Sequence, residues 1–160
     1  MDRIKKIEEE VNEMAKEAQV FNMDLPAKLK YIALPRLVTS LVSKRMGFSK
    51  DEEENIEIAI SEACINTVLH AYKNSHNNMK RMHIRYLSYP EKLVIVIRDF
   101  GRGFDPYFVQ QYVKRKDAEM PEKVGLGLFL IKTMMDEVEV DSSLPGGTQV
   151  RMTKYIKRRR

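Results

Sequence analysis

The chain of 160 residues has little that would mark a secreted or membrane protein. Its single cysteine, Cys64, excludes an internal disulfide framework and fits a reducing compartment. No run approaches the roughly 18 consecutive apolar residues of a membrane span. The charged N-terminus, residues 1–10, also has no apolar stretch of the kind found in secretory signals. We therefore expect a cytoplasmic protein with no membrane contact.

Several familiar catalytic signatures are also missing. No glycine-rich loop continues into Gly-Lys-Ser/Thr, which excludes a Walker A site. There is no His-Arg-Asp loop, so the chain is not a kinase of the eukaryotic type. The histidines, His70, His76 and His83, are not spaced as metal ligands, and we interpret them as structural or surface residues.

The net charge of +5 is concentrated at the C-terminus. Five basic residues lie within 154–160, and together they equal the whole excess. The run predicts a solvated tail, and a contact with an acidic protein partner is the alternative. No aromatic residues are interleaved with basic ones to form a nucleic-acid surface, so we expect no direct binding of nucleic acid.

The length and the hydrophobic content of 43% predict one compact domain with a real core. Hairpins outnumber βαβ units in the predicted element order, which favours an α+β fold: a two-layer sandwich with a mixed, mostly antiparallel sheet and helices on one face. The predicted helices cover 3–21, 36–46, 49–72 and 127–135. The predicted strands cover 29–33, 82–86, 93–97, 138–140 and 149–155. We expect 104–124 to be a mobile, functional segment.

The predicted domain organisation has three parts. An amphipathic N-terminal helix occupies 1–23, the folded domain 24–156 and a basic tail 157–160. The apolar residues of the N-terminal helix follow a 3-4 spacing up to Phe21. This helix packs either on its own domain or on another chain, and the sequence leaves both open.

Glu62 and Asn66 lie one helical turn apart, about 40° around the axis of the third predicted helix. That helix is apolar nearly all round, since Ile58, Ile65 and Leu69 add a second stripe, so we expect it to be largely buried. A carboxylate in such surroundings needs a partner. Either Glu62 is a paired structural residue, or Glu62 accepts a proton and Asn66 gives an oxygen to Mg²⁺.

Two glycine-containing motifs follow. Asp99 ends an apolar strand and precedes Gly101 and Gly103, which allow positive φ and close approach of a ligand. Its carboxylate is suited to accept a hydrogen bond from an amine such as adenine N6, and an Asx turn is the structural alternative. Gly125 and Gly127 precede a helix whose N-terminal amides are suited to phosphates, or they simply ease entry into that helix.

The three motifs occur in one order, and with them the chain resembles the GHKL (Bergerat-fold) ATPase superfamily. Residues 62–66 match its N box, 99–103 its D-x-G-x-G box and 125–128 its second glycine box. Thr148, after two glycines, matches the threonine that lies beside the aspartate under the adenine.

Within the superfamily, the chain looks like the bacterial anti-sigma factor serine kinases of the RsbW/SpoIIAB type. The resemblance covers roughly 28–156, and 61–72, ending in His-Ala-Tyr, is its most specific part. Arg36 and the segment 151–155 also fit the pattern. Residues 1–23 lie outside it.

The resemblance implies a role for each matching residue, with ATP and Mg²⁺ as cofactors. Glu62 would be the general base for a protein serine hydroxyl and Asn66 the Mg²⁺ ligand. Arg36 would contact a sigma factor and an anti-anti-sigma protein. Lys123, where the superfamily often has glycine, would meet the γ-phosphate. The adenine and phosphate contacts would come from Asp99, Gly101, Gly103, Gly125, Leu126, Gly127, Leu128 and Thr148.

The resemblance therefore implies a protein-serine kinase that sequesters a sigma factor and phosphorylates its antagonist. A homodimer is implied by the resemblance. An ATP-binding interaction module without phosphotransfer is the alternative. The ATP-binding part of a sensor histidine kinase is disfavoured, because residues 1–27 contain no histidine. A scaffold that binds no nucleotide is the remaining option.

Overall fold

The computed structural model describes residues 5–6, 8–10, 18–72, 80–101, 126–142 and 146–158. A 3₁₀ turn covers Leu29–Tyr31 and a π-type turn covers Thr67–Ala71. The helices are α1 (Ala33–Met46), α2 (Lys50–Asn66) and α3 (Leu126–Met134). The strands are β1 (Gln19–Pro26), β2 (Arg81–Ser88), β3 (Lys92–Asp99), β4 (Glu137–Asp141) and β5 (Gln149–Tyr155).

The five strands form one sheet in the order β1-β2-β3-β5-β4, and every neighbouring pair is antiparallel. The central position of β3 explains its continuous apolar sequence, because both of its faces are buried. One face joins the main core, and on the other Val94 and Val96 pack with Leu87 and Tyr89. The end of β3 lies beside the start of β5, where Arg98 pairs with Gln149. This pairing brings Asp99 close to Thr148.

The main core lies between one face of the sheet and the helices. Alternate residues of each strand point toward it, as the period of two requires. Each large side chain buried there contributes about 1.5–3 kcal/mol relative to its exposed state. Fully buried members from β2, β3 and α2 are Met82, Ile84, Tyr86, Leu93, Ile95, Ile56 and Ile60. The predicted two-layer α+β sandwich is confirmed.

Local signals explain where the predicted helices 36–46 and 49–72 end and begin. Gly47 ends α1 in the left-handed conformation, with φ of 87°. Ser49 caps α2 in a capping box, in which its side chain accepts from the amide of Glu52 and the Glu52 carboxylate accepts from the amide of Ser49. Pro35 lies in the first turn of α1, where the missing N–H is tolerated.

The prediction for the first strand was wrong. The segment 29–33 forms the 3₁₀ turn and the start of α1, while the edge strand is β1, part of which had been assigned to the N-terminal helix. The 3-4 spacing had been extended as far as Phe21. The residues after it alternate, however: Met23 and Leu25 turn toward the core and Asn22 away from it. Residues 5–6 and 8–10 are helical, and the other N-terminal residues lie outside the described part.

The prediction that the helix 49–72 would be largely buried is correct for its first apolar stripe but wrong for part of the second. The first apolar stripe, which includes Ile56 and Ala63, is buried, but Ile58 is 39% exposed and Leu69 52% exposed. The sheet covers only one side of the helix. The π-type turn at the C-terminal end of α2 had not been predicted.

The charged C-terminal run does not behave as one tail. Lys154 lies in β5, is only 6% exposed and faces the helix layer. Its Nζ donates to the backbone carbonyl oxygen of Met134 at 2.8 Å. A cation there stabilises the C-terminal end of α3. The prediction of a solvated tail is therefore wrong at Lys154, while Lys157 and Arg158 are exposed.

In the described part of the chain, none of the helices combines the length and the apolar character needed to cross a lipid bilayer.

Candidate nucleotide site

Glu62 and Asn66 are half-buried on α2, on the side that α3 approaches. The contact is made at Gly127, near the start of α3. A Cβ atom at Gly127 would lie 2.9 Å from Oε2 of Glu62 and 3.0 Å from Oδ1 of Asn66. A carboxylate oxygen and an amide oxygen thus converge beside the same helix start. A side chain at this position would therefore shift the ends of Glu62 and Asn66.

Asp99 is the buried acid of the site, with 3% of its surface exposed. Its Oδ1 accepts hydrogen bonds from the amides of Gly101, at 3.0 Å, and Thr148, at 3.3 Å. The bond from Gly101 closes an Asx turn, so the structural alternative is also realised at this oxygen. The amide of Asp99 in turn donates to the carbonyl of Thr148 at 3.0 Å. Asp99 and Thr148 are therefore locked together.

Burial raises the pKa of Asp99 above its ordinary value of 3.8, because desolvation penalises the charged form. The two amide hydrogen bonds and the charge of Arg98 oppose this rise. The net effect is that the pKa of Asp99 stays above its ordinary value. A buried acceptor of this kind gains from a ligand that donates a hydrogen bond to it.

Close backbone packing accounts for two glycines around Asp99. A Cβ at Gly101 would lie against the carbonyl oxygen of Ala71, and a Cβ at Gly147 would lie against that of Asp99. Positive φ had been considered for the glycines after Asp99. Among the described glycines, however, it occurs at Gly47 and Gly146. Gly101 serves close approach instead.

Asn66, Asp99 and Thr148 line one cavity between α2, α3 and the sheet. Apolar side chains supply most of its other walls, which suits the faces of a purine ring. Its enclosed volume is about 20 Å³, room for about one water molecule. This space is smaller than a purine ring, so the cavity must widen to admit one. The complete lining is Ala63, Asn66, Thr67, Ile97, Asp99, Leu128, Ile131, Val140, Thr148 and Val150.

The second glycine box is described in part. The helix begins at Leu126, which is 59% exposed, while Leu128 is buried against α2. Gly127 holds the contact already described. Gly103, Lys123 and Gly125 lie outside the described residues, as does the predicted mobile segment 104–124.

Arg36 lies on α1 at a distance from the cavity. Its side chain is 62% exposed, and its Nε lies 3.6 Å from Oε2 of Glu57 on α2. An exposed ion pair of this kind contributes about 0–1 kcal/mol. Large apolar residues on the same helix are also exposed: Leu34, Leu37 and Leu41.

Two residues at the site had not been predicted as site residues. Gly147 packs on the backbone of Asp99, and only its place in a turn had been recognised. Tyr72 had been noted for its family resemblance, and its hydroxyl accepts a hydrogen bond from the amide of Phe100, next to Asp99. Both contacts join residues distant in sequence, so no local pattern indicates them.

Known proteins are similar to this chain over most of its length. The family model described as Histidine kinase-like ATPase domain matches residues 25–154. "Serine-protein kinase RsbW" of Bacillus pumilus is 38% identical over 151 residues, which is 92% of each chain. The protein of the same name from Listeria monocytogenes serotype 4a is 41% identical over 138 residues, 84% of this chain and 85% of its own.

Solved structures share the fold at low identity. One chain of the SiaB-SiaC complex from Pseudomonas aeruginosa matches with a TM-score of 0.66 at 10% identity, over 96% of this chain and 99% of its own. The RsbU and RsbW domains of Rv1364c from Mycobacterium tuberculosis match with a TM-score of 0.59 at 14% identity, over 88% of this chain and 33% of that one.

The resemblance inferred from the three motifs is thus confirmed at the level of the family. The fold, the family model and relatives that match nearly end to end all agree. The chain belongs to the histidine kinase-like ATPase domain family and, within it, to the serine-protein kinases of the RsbW type.

Proposed function

We propose that this protein uses Mg-ATP to phosphorylate a serine of an anti-anti-sigma protein, and that it sequesters the sigma factor which that protein would release. The observation that carries the proposal is the meeting of the three motifs around one cavity. Asn66, Asp99 and Thr148 line it, and Gly127 brings the start of α3 against Glu62.

The purine end of the nucleotide would bind at Asp99. Its buried carboxylate accepts the hydrogen bond of the adenine amine, and Thr148 lies beside it. The apolar walls contact the ring faces. Because Oδ1 already holds two backbone amides, the acid keeps its orientation while the ligand binds. Gly101 supports this geometry, and from the family resemblance we infer that Gly103 also contributes to adenine binding.

The phosphate end would lie at the start of α3. Free amides at a helix N-terminus favour anions, which suits Leu126, Gly127 and Leu128 to this role. Hard oxygen donors are what Mg²⁺ prefers, and the amide oxygen of Asn66 meets that requirement beside the carboxylate of Glu62. The bound ion would neutralise phosphate charge during transfer. We infer that Lys123 and Gly125 complete the phosphate contacts.

Glu62 would act on the protein substrate. A serine hydroxyl attacks the γ-phosphorus, its proton passes to the carboxylate of Glu62, and the bond between the γ-phosphorus and the bridging oxygen breaks to leave ADP. The phosphoserine and ADP are the products. Glu62 is half-buried and borders the start of α3, so it can reach a hydroxyl brought to the phosphate end.

The protein partners would dock on α1. Arg36 is exposed there, and Leu34, Leu37 and Leu41 form an exposed apolar row on the same helix. An arginine beside exposed leucines suits a partner surface that carries a carboxylate next to apolar residues. We infer that the sigma factor and the antagonist share this surface, so that each excludes the other.

We also infer that the protein is a cytoplasmic homodimer. The single cysteine fits the cytoplasm, and the family resemblance supports the dimer. Sedimentation equilibrium of the full chain tests the dimer, and a single species of about 18.7 kDa would contradict it.

Phosphoryl transfer is tested with Mg-ATP and a candidate antagonist, followed by intact mass and peptide mapping. We expect phosphoserine with the wild type and a loss of about 10²-fold or more with Glu62→Gln. Glu54→Gln, an equal change at an exposed position of α2, is the control and should keep full activity. Both variants should bind Mg-ADP as the wild type does.

The same experiment distinguishes the kinase from the alternative, an ATP-binding module without phosphotransfer. If wild type, Glu62→Gln and Glu54→Gln all bind Mg-ADP and a sigma factor but none yields phosphoserine, the protein is an ATP-dependent binding module. If the wild type does not bind Mg-ADP at all, the nucleotide site itself is wrong.

A further inference from the structure

The hydroxyl of Tyr72 joins three separate parts of the fold. Tyr72 directly follows the π-type turn after α2 and is 5% exposed. Its hydroxyl donates to the carbonyl of Arg81 at the start of β2, and accepts from the amide of Arg81 at 3.3 Å and from that of Phe100 at 3.0 Å. A phenol hydroxyl has one hydrogen to donate and can accept two. The capacity of this one is fully used.

The neighbouring residue reinforces the same junction. The carbonyl oxygen of Ala71 lies so close to Gly101 that no Cβ could fit between them. Ala71 and Tyr72 are both buried, in a small apolar cluster with Ala27. Ala71 and Tyr72 thus contact Gly101 and Phe100, the two residues that follow Asp99.

This junction fixes the turn that orients the acid. The amide of Phe100 is held by Tyr72, and the amide of Gly101 donates to Oδ1 of Asp99. On its other side, Asp99 is held by Thr148. The only described hydroxyl contact between the α2 end and this turn is therefore the one from Tyr72 to Phe100.

We propose that Tyr72 is a positioning residue of the nucleotide site. Its hydroxyl sets the distance between the purine end, at Asp99, and the phosphate end, at Asn66, the last residue of α2. Tyr72 is not one of the residues that line the cavity, and it acts through the Asp99–Gly101 turn. The inference rests on the proposed function, since it requires that Asp99 bind a purine amine.

The test compares two buried tyrosines that each lose one hydroxyl. Tyr72→Phe leaves the amides of Phe100 and Arg81 without their acceptor. The matched control is Tyr86→Phe, because Tyr86 is fully buried and its hydroxyl donates to the carbonyl of Pro35, away from the cavity. Isothermal titration measures the affinity of each variant for Mg-ADP and for Mg-IDP, which lacks the exocyclic amine.

We expect Tyr72→Phe to weaken Mg-ADP binding about tenfold, the effect of one lost or misplaced hydrogen bond, and to weaken Mg-IDP binding much less. The preference for ADP over IDP should therefore fall. Tyr86→Phe should leave both affinities and their ratio as in the wild type. In the kinase assay, Tyr72→Phe should raise KM for ATP while kcat changes little, since Glu62 is not disturbed.

Three results would overturn the inference: an unchanged affinity for Mg-ADP, an equal loss for ADP and IDP, or an equal loss in Tyr86→Phe. A wild type that binds no Mg-ADP would instead refute the proposed function. If Tyr72→Phe does not fold, amide hydrogen exchange of the wild type tests whether the hydrogen bond from Phe100 to Tyr72 is present. The amide of Phe100 should be protected from exchange although the residue is 48% exposed, and rapid exchange there would contradict the junction.

Discussion

Replacing Asp99 by asparagine should stabilise the fold and weaken nucleotide binding at the same time. The asparagine Oδ1 can still accept from the amides of Gly101 and Thr148, so the turn keeps its hydrogen bonds. The change removes a buried negative charge whose desolvation disfavours the folded state. It also removes the charged acceptor proposed for the adenine amine.

The loss of binding follows from the strength of such a bond. A hydrogen bond to a charged group contributes about 1.5–3 kcal/mol, and each 1.4 kcal/mol is tenfold in affinity. We therefore expect Mg-ADP to bind about 10- to 150-fold more weakly to Asp99→Asn. Titration calorimetry measures this directly. If the variant binds Mg-ADP as tightly as the wild type, Asp99 is not the acceptor of the purine amine.

The gain in stability should depend on pH. The pKa of Asp99 is raised in the folded state, so protonating Asp99 stabilises the fold. This stabilisation is fully present below the unfolded-state pKa of 3.8 and is lost as the pH rises through the folded-state pKa. The midpoint of thermal unfolding should thus be higher in Asp99→Asn than in the wild type at pH 7. The difference between the two midpoints should narrow as the pH falls toward about 4.

Differential scanning calorimetry without nucleotide measures this difference in midpoint. Each kcal/mol of change in the free energy of unfolding moves the midpoint by about 2–4 °C in a chain of this size. Asp51→Asn is the control, since Asp51 is exposed in the first turn of α2 and its charge favours the helix. That variant should be slightly less stable than the wild type. A lower midpoint for Asp99→Asn at pH 7 would refute the burial argument.

Two further predictions concern the start of α3 and the outer face of α1. Gly127→Ala should keep the free energy of unfolding or raise it by up to about 1 kcal/mol through helix propensity. It should weaken Mg-ADP binding about tenfold, because the new Cβ displaces Glu62 and Asn66. An unchanged affinity for Mg-ADP in calorimetry would contradict this contact. Arg36→Ala should weaken sigma-factor capture at least about tenfold in a pull-down titration, with Mg-ADP binding unchanged. Lys44→Ala on the same helix is its control, and equal capture by both variants would show that Arg36 is not in the interface.

Much of the fold follows from local patterns. The end of the helix 36–46 beside Gly47, the start of the helix 49–72 at the Ser49 cap and the strand Gln149–Tyr155 were predicted correctly, because each depends on residues within a few positions of one another. The N-terminal edge was predicted incorrectly, since the 3-4 spacing continued into residues that the sheet recruits as β1. Pairing with β2 settled the conformation of that segment.

The exposure of side chains was harder to predict than their secondary structure. Ile58 on α2 and Leu69 in the π-type turn have the sequence pattern of a buried stripe but lie on the side that the sheet does not cover. Lys154 was assigned to a solvated run, yet its place in β5 turns it inward to the end of α3. Both errors arise because burial depends on which elements meet, which the sequence does not encode locally.

The sequence by itself determined the ingredients of the site: Glu62 and Asn66 one helical turn apart, Asp99 at the end of an apolar strand, and Gly127 at the start of a helix. The tertiary structure alone decided their arrangement. It joined Asp99 to Thr148, 49 residues later, set Tyr72 against Phe100, and left a cavity that is nearly closed. The physical reason is that helix and strand patterns arise from neighbours in sequence, whereas hydrogen bonds and close packing between distant segments exist only once the sheet and helices are assembled.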